Sequence, residues 1–93
     1  MIEIQHDSLD HRFVARVGED EAFLSYTLGS PGKVDFESTY VPPALRGKGL
    51  GELIVRQALD WARAEKLQVV PSCWFVGRVV QQRPEYLDLL SRG

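Results

Sequence analysis

A chain of 93 residues, 44% hydrophobic and 26% charged, is enough for one domain, residues 1–93, with a single modest core. Its net charge of −2 argues against general nucleic-acid binding, and no apolar run reaches the length of a membrane span. The single cysteine, Cys73, excludes an internal disulfide; with no basic, apolar leader at the start, the cytoplasm is the expected location.

In chain order, residues 2–6 read as a short strand followed by a turn. Residues 11–17 alternate, with Phe13, Ala15 and Val17 on one face, and residues 21–28 alternate again with Ala22, Leu24, Tyr26 and Leu28 aligned. After the loop Gly29-Ser30-Pro31-Gly32, residues 33–41 form a third run, with Val34, Phe36, Ser38 and Tyr40 expected on one face. Short turns between such runs predict an antiparallel meander. The pattern then changes. Leu50, Leu53, Ile54, Ala58, Trp61 and Ala62 share one helical face, and Glu52 and Arg56 make a favourable i,i+4 pair. Residues 68–71 read as a short buried strand and residues 74–81 as a helical stretch, although Val79-Val80 fits a strand equally well. Pro84 suits the first turn of a last helix that packs through Tyr86, Leu87, Leu89 and Leu90. The predicted class is α+β: a curved, mostly antiparallel sheet, a long helix after a glycine-rich loop, and short helices at the end.

The loop is the segment that points to chemistry. Val41-Pro42-Pro43-Ala44-Leu45-Arg46-Gly47-Lys48-Gly49-Leu50-Gly51 joins the third alternating run to the long helix. Three glycines leave main-chain N–H groups uncovered where a helix begins, and the first four N–H groups of a helix have no internal partner. The helix dipole adds partial positive charge there, and Arg46 and Lys48 add two full charges. Such a loop is suited to a phosphate or pyrophosphate. The charge distribution agrees: residues 1–44 hold three bases against eight acids, a net of −5, and residues 45–93 hold eight against five, a net of +3. Neither a P-loop nor a G-x-G-x-x-G dinucleotide fingerprint is present. His6 and His11 make no metal-site motif, and no metal is expected.

Arg46, Gly49 and Gly51 fill the pattern Gln/Arg-x-x-Gly-x-Gly/Ala, and with it the chain resembles the GNAT superfamily of acyl-CoA-dependent N-acetyltransferases. The element order, the Val-Pro-Pro lead-in, the Pro-Ser-Cys segment and the Arg-Pro-Glu-Tyr segment resemble that family's minimal, single-domain branch over roughly residues 13–90.

The resemblance implies acetyl-CoA or coenzyme A as cofactor and transfer of an acetyl group to a primary amine, on a protein lysine or a small molecule. It implies that Arg46, Gly47, Lys48, Gly49, Leu50 and Gly51 hold the pyrophosphate, and that the main chain of Thr39, Tyr40 and Val41 holds the thioester carbonyl. Cys73 stands where the branch carries a cysteine near the acetyl group, either accepting the acetyl or lining the pocket during direct attack. Tyr86 is the expected proton donor to the departing thiolate. The branch usually has a histidine where Ser38 stands here, and a serine is no base at neutral pH. That departure favours the alternative of a non-catalytic acyl-CoA-binding or interaction module. A monomer, or a weak homodimer paired through an exposed sheet edge, is expected.

Overall fold

The computed structural model describes residues 2–91. Five strands form one sheet in sequence order: β1 (Ile4–Asp7), β2 (Arg12–Val17), β3 (Asp20–Thr27), β4 (Lys33–Tyr40) and β5 (Gln68–Val70). The first four are antiparallel neighbours, whereas β5 runs parallel to β4. A parallel return needs a crossover, here supplied by helix α1 (Leu50–Ala64). Helix α2 (Trp74–Gln82) and a 3-10 helix (Pro84–Leu89) complete the chain. The architecture is the expected α+β one. No helix of the described residues is long and apolar enough to cross a membrane.

The helices share a single core with the inward side chains of the sheet. Phe13, Ala15, Ala22, Leu24, Tyr26, Val34, Phe36 and Val69 meet Ile54, Val55, Ala58, Leu59 and Ala62 of α1 and Val76, Val79 and Val80 of α2. The buried face of α1 is rotated from the one expected. Leu53 is 44% exposed, and Val55 and Leu59 are fully buried in its stead. The helix packs between sheet and α2, so its apolar arc is broad and one leucine at its edge faces solvent.

Two further features refine the sequence reading. The last short helix is of the 3-10 type. Arg63 donates to the Glu85 carbonyl at 2.6 Å and to both Asp88 carboxylate oxygens at 2.8 and 3.0 Å, and Ser91 N–H then donates to the Val69 carbonyl at 2.8 Å. The chain must return to an extended path beside β5 within six residues, and the tighter helix does this. The second, a correction, concerns β4. Ser25 pairs with Ser38 but Tyr26 pairs with Phe36, so Glu37 is an extra, bulged residue. The face Val34, Phe36, Ser38, Tyr40 therefore breaks at Glu37. Beyond it Thr39 lies opposite buried Leu24, while Ser38 and Tyr40 are exposed.

An aromatic cluster pins β1 to the rest. The His6 ring stacks on Phe13 with centroids 4.1 Å apart, meets Trp61 edge-on at 4.8 Å, and its Nε2 lies 2.6 Å from the Tyr26 hydroxyl. Burial, chiefly, and then Asp7 push the Tyr26 pKa up, so the phenol stays protonated and shares one hydrogen bond with the imidazole, the donor set by the His6 tautomer. Burial pulls the His6 pKa below its ordinary 6.5, with His11 adding to that and Asp7 and Glu65 opposing it. A depressed histidine pKa means the unfolded chain binds more protons, so this contribution is present above pH ~6.5 and is lost as pH falls below it. Thermal unfolding at pH 7, 6 and 5 should show the melting temperature dropping over that range. His6→Phe should flatten the drop, leaving only the acid loss below the ordinary carboxylate values of Glu21 and Asp88, 4.5 and 3.8.

Candidate active site

The bulge in β4 and the shortness of β5 together open a groove. β5 pairs with β4 only at Lys33, Val34 and Asp35, and the Cys73 N–H donates to the Phe36 carbonyl at 2.9 Å. Beyond that bond the edge of β4 has no neighbouring strand among the described residues. Two linked chambers occupy the split. One, of about 360 Å³, lies between the glycine loop and α2; the other, of about 350 Å³, lies between the end of β4 and Cys73. Val41, Arg46 and Phe75 line both, so the chambers adjoin at a waist formed by these side chains.

The first chamber is walled by Gly47, Gly49, Leu50 and Gly51 on one side and by Phe75, Arg78, Val79 and Gln82 on the other. Gly47 and Gly49 have φ of +80° and +75°, a left-handed conformation that other residues adopt at a cost. A Cβ at either would meet nothing within 4 Å, so the turn is bare. The Gly49 carbonyl accepts the first helical bond, from Leu53 at 3.1 Å. The N–H groups of residues 50–52, in the first turn of α1, have no partner within the helix. Gly51 has a different reason to be glycine. A Cβ there would come within 3.1 and 3.2 Å of the Phe75 ring and 3.4 Å of Val41, so its missing side chain lets α1 approach α2. The turn is closed by Arg46, whose Nε donates to the Val41 carbonyl at 2.8 Å. The Lys48 side chain is exposed and lines neither chamber.

The second chamber is lined by Thr39, Tyr40, Val41, Arg46, Cys73, Trp74 and Phe75. Cys73 precedes the first turn of α2 and is 8% exposed, with Sγ 3.4 Å from the Thr39 hydroxyl. No imidazole or carboxylate lines this chamber among the described residues. Thr39, Tyr40, Val41, Arg46, the three loop glycines, Leu50 and Cys73 are thus brought together along one groove.

Tyr86 lies elsewhere. Its ring is buried, its hydroxyl donates to Asp60 Oδ1 on α1 at 2.8 Å, and it lines neither chamber. Burial first, and then the Asp60 acceptor, push its pKa up. Sequence reasoning missed the wall supplied by α2. Phe75, Arg78, Val79 and Gln82 stand at i, i+3, i+4 and i+7, so the signal was a helical face with polar residues among apolar ones.

Residues 12–89 match the family described as GCN5-related N-acetyl-transferase. The chain belongs to that family. Among curated relatives, chains named Protein NATD1 are similar along nearly the whole length of this GCN5-related chain. Those of chicken and human are 32% identical, covering 97% of this chain and 86% and 83% of theirs. The zebrafish protein is 29% identical over 94% of this chain and 83% of its own. The solution structure of a GCN5-like protein from Staphylococcus aureus superposes with a TM-score of 0.76, covering 96% of this chain and 87% of that one. At 22% identity that likeness establishes the GCN5-related fold.

Proposed function

We propose that this chain binds acetyl-CoA and transfers its acetyl group directly to a primary amine. The observation that carries the reading is the pair of adjoining chambers between the bare glycine turn and Cys73. The first chamber offers what a pyrophosphate needs: N–H groups without an intrahelical partner at the start of a 15-residue helix, with Arg46 and Arg78 beside them and the one lining carboxylate, Glu52, paired with Arg83. The bound thioester supplies an activated acyl group. The main chain at Thr39, Tyr40 and Val41 holds its carbonyl oxygen where negative charge develops, an oxyanion-type stabilisation. The amine nitrogen bonds to the carbonyl carbon, the carbon–sulfur bond breaks, and the thiolate leaves. Thr39, Tyr40 and Cys73 bring proton-bearing groups to the second chamber, and we assign protonation of the departing sulfur to the Thr39–Cys73 pair, whose oxygen and sulfur lie 3.4 Å apart. Tyr86, committed to Asp60, positions α1 against the terminal turn.

Direct attack is preferred to an acyl-enzyme because no imidazole or carboxylate lines the chamber to take the thiol proton. Among the described residues the Cys73 sulfur has the Thr39 hydroxyl as its hydrogen-bond partner, and a nucleophile of this kind works best with an adjacent base. Orientation in a groove of this size contributes much of the acceleration such a transfer needs. Thiol release from acetyl-CoA with added amines tests the activity. Cys73→Ala should keep at least a tenth of the wild-type rate, and intact mass after incubation with acetyl-CoA should show no acetyl on Cys73. Loss beyond a thousandfold, with an acetylated cysteine in the wild type, contradicts direct transfer. Ser38, where the resemblance leads one to expect histidine, favours a second reading, a non-catalytic acyl-CoA-binding module. Heat of binding without amine-dependent thiol release would select it.

A further inference from the structure

Trp74 is 72% exposed and Tyr40 is 45% exposed, and both line the chamber that holds Cys73. Large aromatic side chains left open to water at the mouth of a cavity mark a surface that gains from being covered. The Trp74 ring stands edge-on to its neighbour Phe75 at 5.8 Å, and Tyr40 is tilted against Phe23 at 5.8 Å. The chamber therefore has two aromatic walls, one from α2 and one from β4.

Its electrostatics narrow the occupant. The sole charge lining this chamber among the described residues is the Arg46 guanidinium. None of the acids of the amino-terminal half lines it. Glu21 is engaged by Arg12 at 3.2 Å and Arg16 at 2.9 Å, the Asp7 carboxylate accepts the Asp10 N–H, Asp35 lines a separate small cavity, and the exposed Glu37 accepts from the Thr27 hydroxyl at 3.5 Å. A polyamine or a basic peptide would meet a like charge and no carboxylate. The same lack of a base means that an incoming ammonium finds no side chain in the chamber to take its proton. An acceptor that is already neutral at pH 7 avoids both penalties, and an amine carried on an aromatic ring is such a group.

Resting on the transferase reading above, we infer that the acceptor is a weakly basic, aromatic primary amine seated against Trp74 and Tyr40. Nitrogen–carbon bond formation then releases one proton from nitrogen, the departing sulfur takes one up, and no resident base is required.

The test uses the full chain with 4-methylaniline, spermidine and a lysine-containing peptide as probes. Titration of the coenzyme-A-loaded protein with 4-methylaniline should shift the Trp74 indole N–H resonance, and spermidine should leave it in place. In thiol release from acetyl-CoA, 4-methylaniline should exceed both other amines in kcat/KM by at least tenfold at pH 7. Trp74→Ala should raise its KM about tenfold, Trp74→Phe should restore most of that, and affinity for coenzyme A should stay within twofold. A better rate with spermidine or the lysine peptide overturns the inference, as does an unchanged KM in Trp74→Ala. A Trp74→Ala effect confined to the choice between acetyl and longer acyl donors also overturns it. Calorimetry with acetyl-CoA separates the two levels: absence of heat defeats the transferase reading, and titration of the unloaded protein with 4-methylaniline, read at the Trp74 indole, then decides for or against the aromatic site.

Discussion

Gly49→Val should weaken acetyl-CoA binding by at least a hundredfold while the protein still folds. Gly49 sits at φ +75°, immediately before α1, with open space where a Cβ would stand. The substitution therefore creates no clash in the core. It acts through the backbone, because a β-branched residue is a poor occupant of the left-handed region and strain there is of order 1–3 kcal/mol. The local response is to leave that conformation, which turns the N–H groups of residues 47–51 away from their common focus. Whatever strain is retained is joined by two γ-carbons projecting into the space a diphosphate would occupy. A hundredfold weakening is about 2.7 kcal/mol, well within reach when several amide hydrogen bonds to one anion fail together. Calorimetry gives the affinity and far-ultraviolet circular dichroism the fold. Wild-type affinity in the variant would remove the loop from the binding site.

The second large effect is expected on stability. Gly51→Val places a Cβ 3.1 Å from the Phe75 ring and adds two methyl groups beyond it. Phe75 is half-buried and forms the waist shared by both chambers, so it must swing into the groove or α2 must move off α1. Overpacking of this kind costs about 1–3 kcal/mol. The outcome should be a lower urea midpoint with an unchanged slope, accompanied by weaker coenzyme binding as the waist closes. Phe75→Ala combined with Gly51→Val should recover part of the lost stability, since the two changes address one contact. Additive losses in the double variant would mean that the ring is not what Gly51 accommodates.

These two glycines show how far the sequence could be read. The spacing of Gly47, Gly49 and Gly51 before an amphipathic helix marked the loop, because bare amides and a helix start are local features. Why each is glycine was not local. Gly49 answers a backbone angle, whereas Gly51 answers a ring 24 positions along the chain. The meander was legible from alternation in β2 and β3, where Phe13, Ala15, Ala22, Leu24 and Tyr26 all point inward. In β4 the same rule failed midway. Glu37, Ser38 and Thr39 are consecutive polar residues, so nothing in their order reveals that one of them is bulged and that Thr39 inherits the inward face. That slip places the Thr39 hydroxyl beside Cys73. Tyr86 illustrates the opposite limit. A buried phenol near the end of the chain has several uses, and its bond to Asp60 depends on how the terminal turn docks on α1.

The proposed chemistry depends throughout on the main-chain amides of the glycine turn gripping a diphosphate. The most direct measurement is an amide nitrogen–proton spectrum of the labelled protein, titrated separately with acetyl-CoA and with pantetheine, which lacks the diphosphate. Acetyl-CoA should move the resonances of Gly47, Lys48, Gly49, Leu50 and Gly51 in a saturable way, and pantetheine should leave them in place. Resonances of that turn unmoved by saturating acetyl-CoA would contradict the grip, and with it the transfer reaction built on it.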